Sequence, residues 1–419
     1  MTSSTPTSRT SRRDIKGAAL GMVYTAIASE PTNDSASMWQ LISAVVLLPL
    51  ILNLLQWRSD CRRMRRLAAS PQAVPSLGSI SGDPPGVSFL VAAWNEESTV
   101  RACIEAILRL TCPKLAIVLC AGGTDRTWEI ASQLSDPRLT LLEQRPGDGK
   151  QKSLQRCLEK ASGDILYLLD ADCLITEAAF ARVLSPILNH EEQAVTAIPC
   201  TPLPEQLPLP FVLSQCASRV YTSICQPEYC SGLSGANSAV RREPLQKAGG
   251  FTTEAPSGVD YDLGQRLLRL GTRIRYRADA SIPTKFHTRV GPYLRQQARW
   301  LRNVVVLGRR FRNYREVTAC LFTSLVGFAM LIIPCLLLTR AFLPDIPPTL
   351  VRLAAALWMC AFLHALMSRL RYLGIAAEWL GIRFPLRAAL LLPLFLLIDF
   401  LAWTIPLGQY PVNSLRQRW

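Results

Sequence analysis

At 419 residues the chain has room for one sizeable catalytic domain and a smaller second part, given about 100–200 residues per domain. Lys and Arg outnumber Asp and Glu by 46 to 31, a formal charge of +15, but the excess is largely Arg clustered beside apolar runs, as at Arg58, Arg62, Arg63, Arg65 and Arg66. That placement suits membrane headgroups and argues against nucleic acid as a partner, which calls for basic residues on one face of the soluble part with aromatics interleaved; the division into apolar runs (38–57, much of 316–407) and a polar stretch (80–310) argues against a uniform globular protein.

In chain order, residues 1–37 open on Ser, Thr and Arg and read as a disordered tail or, around Ile15 to Ile27, a short interfacial helix. Met38 to Trp57 carries no charge over about 20 residues, the length that crosses a hydrocarbon core, and Trp39 and Trp57 stand near its ends where interfacial anchors belong. The Arg cluster follows it, so the N-terminus is expected outside and residue 58 onward inside. Residues 58–86, with Pro71, Pro75, Pro84 and Pro85, form a basic segment and linker. The 13 Cys residues show no Cys-x-x-Cys spacing and are expected to be reduced thiols of a cytoplasmic domain. The expectation is an integral protein of the plasma membrane with its catalytic domain in the cytoplasm.

Val87 to Ala93 reads as a buried strand, followed by a polar turn from Trp94 and a helix from Ser98 to Leu110. A second strand, Leu115 to Cys120, leads through Gly122-Gly123 into a helix from Thr127. The alternation continues through Leu139–Leu142, Lys150–Ala161 and Ile165–Leu169, the pattern of an α/β domain with a largely parallel sheet over 87–312. Apolar segments then follow at Val317–Leu338, Leu350–Met367 and Pro385–Leu407, a membrane region over 313–407 with about three transmembrane or interfacial helices and a tail at 408–419. Basic residues Arg312 and Arg315, then Arg369 and Arg371, put the Pro-rich turn at 344–348 outside. Four crossings leave Arg416 and Arg418 outside as well, against the charge rule. Either the last segment is re-entrant or interfacial, or the count is off by one.

The apolar strand Ile165–Leu169 ends in Asp170-Ala171-Asp172. Alternation sends both carboxylates to one side, where they can converge on a cation; hard oxygen ligands suit Mg²⁺ or Mn²⁺ and a leaving diphosphate. A strand-end turn with solvated Asp residues is the competing reading. What favours a site is the order of features around it: Asn95-Glu96 after the first strand, Gly122-Gly123-Thr124-Asp125 after the second, Gly149-Lys150 before a helix, then Gly235-Ala236-Asn237, Gly249-Gly250-Phe251, Asp260-Tyr261-Asp262 and Gln296-Gln297-Ala298-Arg299-Trp300.

This ordered set closely resembles the membrane-bound branch of glycosyltransferase family 2, which includes cellulose, hyaluronan and poly-N-acetylglucosamine synthases and ceramide glucosyltransferase. The resemblance covers roughly residues 86–310. It implies a GT-A fold, a UDP-sugar as the usual donor, Mg²⁺ or Mn²⁺, and inversion at the anomeric carbon. It places Ala92, Trp94 and Glu96 along the nucleoside pocket, Lys150 near the nucleotide, and Asp170 and Asp172 at the donor diphosphate and metal. Asp260 falls at the general base, with Asp262 as the alternative base. Asn237 falls in an acceptor-side loop, and Gln296, Arg299 and Trp300 match the Q-x-x-R-W motif near acceptor and diphosphate, where Arg neutralises phosphate and Trp offers a flat apolar face.

Two departures stand out. The turn after the second strand carries Cys120 and Ala121 where many relatives have an acidic pair that contacts uracil, and Val259 precedes Asp260 where many have Glu. Asp262 or Glu254 could assist the base. Asp125 reads equally as a helix N-cap, and His287 as a surface or packing residue. The acceptor is expected to be a membrane lipid, with a processive polysaccharide synthase as the alternative.

Overall fold

The computed structural model describes residues 34–69, 84–252, 257–338 and 347–409. Most of the expected tail, of the Pro-rich linker and of the turn at 344–348 lies outside the described residues, as do Glu254, Arg416 and Arg418.

A long helix, α1 (Asp34–Ala69), precedes the domain. The domain alternates β1 (Val87–Trp94), α2 (Val100–Leu108), β2 (Leu115–Gly122), α3 (Thr127–Ser132), β3 (Leu139–Glu143), α4 (Gly149–Lys160), β4 (Ile165–Leu169) and α5 (Glu177–Leu188). Then come β5 (Ala194–Thr196), β6 (Thr201–Pro202), α6 (Pro210–Cys225), β7 (Asn237–Arg241), α7 (Arg242–Lys247), α8 (Val259–Arg269), β8 (Ile274–Tyr276), β9 (Pro283–Thr284) and α9 (Val290–Arg310). The C-terminal helices are α10 (Tyr314–Leu338), α11 (Pro348–Leu380), α12 (Leu386–Leu390) and α13 (Leu392–Thr404).

Seven strands form one sheet in the order β3-β2-β1-β4-β7-β5-β8. The expected parallel pairing holds from β3 to β4, but β7 runs antiparallel to both β4 and β5, so the sheet is mixed. The reversal matters for the site: Leu169 pairs with Asn237, so the loop entering β7 lies beside the carboxylates leaving β4. The residues of β4 alternate between faces, as strand geometry requires. Ile165, Tyr167 and Leu169 join one core with Phe89 and Phe180, while Leu166 and Leu168 join another with Leu90 and Val240. Phe89 stacks on Tyr167 at 4.5 Å between ring centroids. Burial on both faces explains why these strands read as continuous apolar runs.

Three helices are long and apolar enough to cross a membrane: Ser43–Leu67 within α1, α10 and α11. The segment expected at Pro385–Leu407 is divided at Leu391 into α12 and α13. At 1.5 Å per residue α13 is about 20 Å long, short of a ~30 Å core. Among the described residues the span-length helices are therefore three, and the last expected segment is the one that falls short.

Arg369 and Arg371, read from sequence as topology markers, do another job. Arg371 is buried and paired with Asp60 of α1, which is also buried, and it donates to Gln56 Oε1 at 2.6 Å. Arg369 pairs with Asp399 of α13, whose second oxygen accepts from Tyr293 of α9. Asn53 Nδ2 and Ser368 Oγ extend the polar seam, the former to His364 Nδ1 at 3.2 Å and the latter to Asn53 Oδ1 at 3.1 Å. A charge taken out of water needs its partner. Asp60→Ala is expected to cost about 3–5 kcal/mol and lower the unfolding temperature in detergent, whereas Asp60→Leu with Arg371→Met recovers most of the loss; equal losses in both proteins would contradict the pairing.

α6 joins the domain to the membrane helices. Its Val212, Cys216 and Val220 share an apolar cluster with Leu373 of α11, Ala388 of α12 and Phe395 of α13, and Tyr221 stacks on Tyr372 at 3.8 Å.

Candidate active site

The turns leaving β1 and β2 lock one another. Asn95, at φ 59°, accepts from Thr124 N at 2.7 Å, and Thr127 Oγ1 accepts from Glu96 N at 2.7 Å. Gly123 sits at φ 144°, and a Cβ there would stand 2.3 Å from Asn95 Oδ1, so only glycine fits. Asp125 accepts from Glu97 N at 3.2 Å and from Thr127 N at 3.0 Å. It is taken up by this clasp, which agrees with its structural reading.

The clasp sets the residues expected along the nucleoside pocket. Ala92 packs partly into one core, and Trp94 is half-buried in register with Gly122. Glu96 points toward the carboxylates of the β4 loop: burial first, then the charge of Asp172, pushes it up to about 7, against Lys285 and a 3.0 Å hydrogen bond from Thr99. The altered positions Cys120 and Ala121 are both fully buried, one in each core, so neither side chain is presented at the surface. Beside them lies a residue without a sequence signal. Gln144 N donates to Ala121 O at 2.7 Å, its Cβ crowds Gly122, and its buried Oε1 has no hydrogen-bond partner among the described residues.

Asp170 and Asp172 follow β4 on a loop stitched to β9: Leu174 N donates to Pro283 O at 2.9 Å and Lys285 N to Asp172 O at 3.0 Å. Asp170 pairs with Lys150 from the first turn of α4. Burial would lower the Lys150 ammonium, but Asp170, Asp260 and Asp172 together outweigh it and raise its pKa. Burial, then the charge of Asp170, raises the Asp172 carboxyl above the usual range. Crowded, partly desolvated carboxylates of this kind fit a divalent cation. No third His, Cys, Asp or Glu completes a ligand cluster among the described residues, which suits Mg²⁺ or Mn²⁺, since such ions keep water and substrate phosphates in their shell.

Asp260 opens α8. Its Oδ1 accepts from Tyr261 N at 2.9 Å and its Oδ2 from Gly235 N at 3.5 Å. A Cβ on Gly235 would stand 3.2 Å from Asp260 Cβ and 3.6 Å from Lys150 Nζ, so the bare glycine lets the base and the lysine approach. Val259 is buried in the core beneath, which explains an apolar residue where relatives carry Glu. On α9, burial lowers the Arg299 guanidinium while the charges of Asp260 and Asp170 oppose it, so Arg299 shares the electrostatic field of both carboxylates. Gln296 lies one turn before both Arg299 (i, i+3) and Trp300 (i, i+4) on this helix, Gln296 half-buried and Trp300 40% exposed.

Two expected site residues are not brought in. Asn237 is fully buried, accepting from Tyr167 Oη at 2.6 Å and donating to Ala280 O at 2.8 Å. Asp262 is fully buried and held by Arg266 at 2.9 Å. Both side chains are taken up by the fold, so of the two expected base candidates Asp260 is the one whose charge acts on Lys150. Sequence reasoning also missed Arg219 on α6, whose guanidinium lies 4.6 Å from the Phe286 ring and 5.3 Å from that of Trp300.

His287 is pushed down to about 4, first by burial and then by Arg219, Arg299, Lys285 and Arg295. A depressed folded pKa stabilises the fold above the unfolded value near 6.5, and that stability is lost as pH falls toward 4, where the unfolded chain alone takes up the proton. Between about pH 7 and pH 4.5 the wild type should lose more thermal stability than His287→Gln; equal losses would contradict the shift.

A model of the family described as "Glycosyltransferase like family 2" matches residues 84–303, just over half of the chain. The chain is a family 2 glycosyltransferase. The probable glycosyltransferase YdaM of Bacillus subtilis is 25% identical over 312 residues, covering 66% of this chain and 71% of that protein. The beta-monoglucosyldiacylglycerol synthase of Synechocystis is 30% identical over 131 residues, 29% of this chain and 27% of that one. Among solved structures, a mannosyltransferase from Pyrobaculum calidifontis in complex with GDP-Man and Mn²⁺ is 20% identical, with a TM-score of 0.47, covering 89% of this glycosyltransferase and 97% of that chain.

Proposed function

We propose that this glycosyltransferase moves one sugar from a UDP-sugar to a membrane lipid, with inversion, at the cytoplasmic face of the plasma membrane. The observation that carries the reading is the meeting of Asp170, Asp172, Lys150, Asp260 and Arg299 in a domain whose α6 packs against span-length helices.

Each group has a task. Asp260 takes the proton of the acceptor hydroxyl as its oxygen attacks the anomeric carbon and the bond to the β-phosphate breaks. Arg299 and Lys150 neutralise the negative charge that builds on the departing nucleoside diphosphate. Asp170 and Asp172 would hold Mg²⁺ or Mn²⁺, which when bound supplies Lewis-acid neutralisation of that diphosphate. Trp300, exposed beside Arg219, offers a face for an acceptor sugar or headgroup. Gln144 Oε1, a buried acceptor beside the ends of β1 and β2, suits the N–H of uracil in place of the missing carboxylate; nucleotides lie at strand C-terminal ends in sheets of this kind.

A lipid acceptor is favoured over a growing polymer because the three span-length helices among the described residues are few for a polysaccharide channel. The glucosyldiacylglycerol synthase relative supports the same choice. With three crossings, the catalytic domain and α12 would lie on one side of the bilayer. Membranes containing the protein, given labelled UDP-, GDP- and dTDP-sugars with Mg²⁺ or Mn²⁺, should label product from a UDP-sugar alone. Label drawn from GDP- or dTDP-sugars instead would overturn the donor assignment.

A further inference from the structure

The carboxylates of the site are answered on its membrane side by cations that the transfer chemistry above does not use. Arg219 projects from the middle of α6, the helix packed against α11, α12 and α13. Its guanidinium is held between the rings of Phe286 and Trp300, close enough for its charge to help hold the Asp172 carboxyl down, yet it forms no ion pair with a described carboxylate. The neighbouring strand is fixed: Gln206 grips both the N–H and the carbonyl of Phe286 at 2.8 and 2.9 Å, and Gln215 donates to His287 O at 2.8 Å. Lys285, at the rim, donates to Ser98 Oγ at 2.8 Å. Arg295 lies one turn before Arg299 on α9 and is exposed. The suppressed protonation of His287 registers a surplus of positive field from Arg219, Arg299, Lys285 and Arg295. Cations held this way by aromatic faces keep their donors free for an anion.

We propose that Arg219, Arg295 and His287, with Lys285 at the rim, form an acceptor-side anion subsite that binds the phosphate of a phosphate-bearing membrane lipid, separate from the diphosphate held at Asp170 and Asp172. The proposal rests on the lipid-directed reading and deepens it. The acceptor is an anionic phospholipid with a free hydroxyl near its phosphate. Phe286 beside the subsite packs into the apolar cluster that joins α6 to the membrane helices α11, α12 and α13.

The test titrates dihexanoyl phosphatidylglycerol into the full chain in neutral detergent, with UDP and Mn²⁺ saturating so that the donor site is filled. Binding should persist with UDP present, exceed that of dihexanoylglycerol, and weaken about 10–100-fold in Arg219→Gln and in the exposed variant Arg295→Gln, while UDP affinity stays unchanged. Arg219→Lys should restore part of the loss. Competition between phospholipid and UDP, equal binding of the neutral lipid or of inorganic phosphate, or parallel loss of UDP affinity in both variants would each overturn the subsite. A protein that binds the phospholipid but transfers sugar to no lipid sinks the transfer reading and leaves the subsite standing. Transfer to diacylglycerol with no phospholipid binding sinks the subsite alone.

Discussion

Asp260→Asn is expected to slow sugar transfer by about 10²–10⁴-fold, the range in which a positioned general base acts, while nucleotide binding stays close to wild type. The amide keeps the shape of the side chain and its oxygen can still accept from Tyr261 N, giving up only the long 3.5 Å contact from Gly235 N, so folding should be largely spared. What is lost is the proton acceptor beside the acceptor hydroxyl. The companion change Asp262→Asn should act differently. Asp262 is buried and paired with Arg266, so its replacement leaves a buried guanidinium with a weaker partner and lowers thermal stability. Steady-state rates and nucleotide titrations on the two variants separate these outcomes. Equal loss of transfer at equal stability would return Asp262 to the chemistry.

Asp172→Asn is expected to uncouple donor binding from metal. Removing one of two carboxylates from a site with no third ligand in reach among the described residues should abolish the gain in UDP affinity that Mn²⁺ confers. It should also lower kcat/KM by about 10²–10³-fold, the scale of several kcal/mol of transition-state charge stabilisation. Lys150→Gln makes a useful comparison, because Lys150 neutralises charge without ligating a cation. Its loss should weaken UDP binding with and without Mn²⁺. Retention of the Mn²⁺-dependent gain in Asp172→Asn would remove that carboxylate from the metal site.

Much of this arrangement could be read along the chain, because strand-end carboxylates and glycine turns are local features. Asp170, Asp172, Lys150 and Asp260 each sit where a strand or helix begins or ends, while Arg299 lies mid-helix on α9 and was legible through its Q-x-x-R-W motif. What could not be read was the direction of side chains set by tertiary packing. Asp262 lies two residues beyond Asp260, about 200° around a helix, so once α8 starts at Val259 the two carboxylates must face apart; the helix start was the missing fact. Asn237 matched an acceptor-side loop, but the antiparallel course of β7 turns it inward to Tyr167. Arg369 and Arg371 read as interfacial because sequence shows charge and conceals partners, and Asp60 is 311 residues away. Arg219 and Gln144 carry no motif at all. Their significance comes from Phe286, Trp300 and Gly122, which only the fold places beside them.

The decisive measurement is the mass of the lipid product. The purified full chain, reconstituted in bilayers of defined lipid composition and given one UDP-sugar and Mn²⁺, should shift a lipid by the mass of a single sugar, and the shift should be absent in Asp260→Asn. A ladder of many added sugars, a water-soluble polymer, or release of free sugar with every lipid unmodified would contradict single transfer to a membrane lipid.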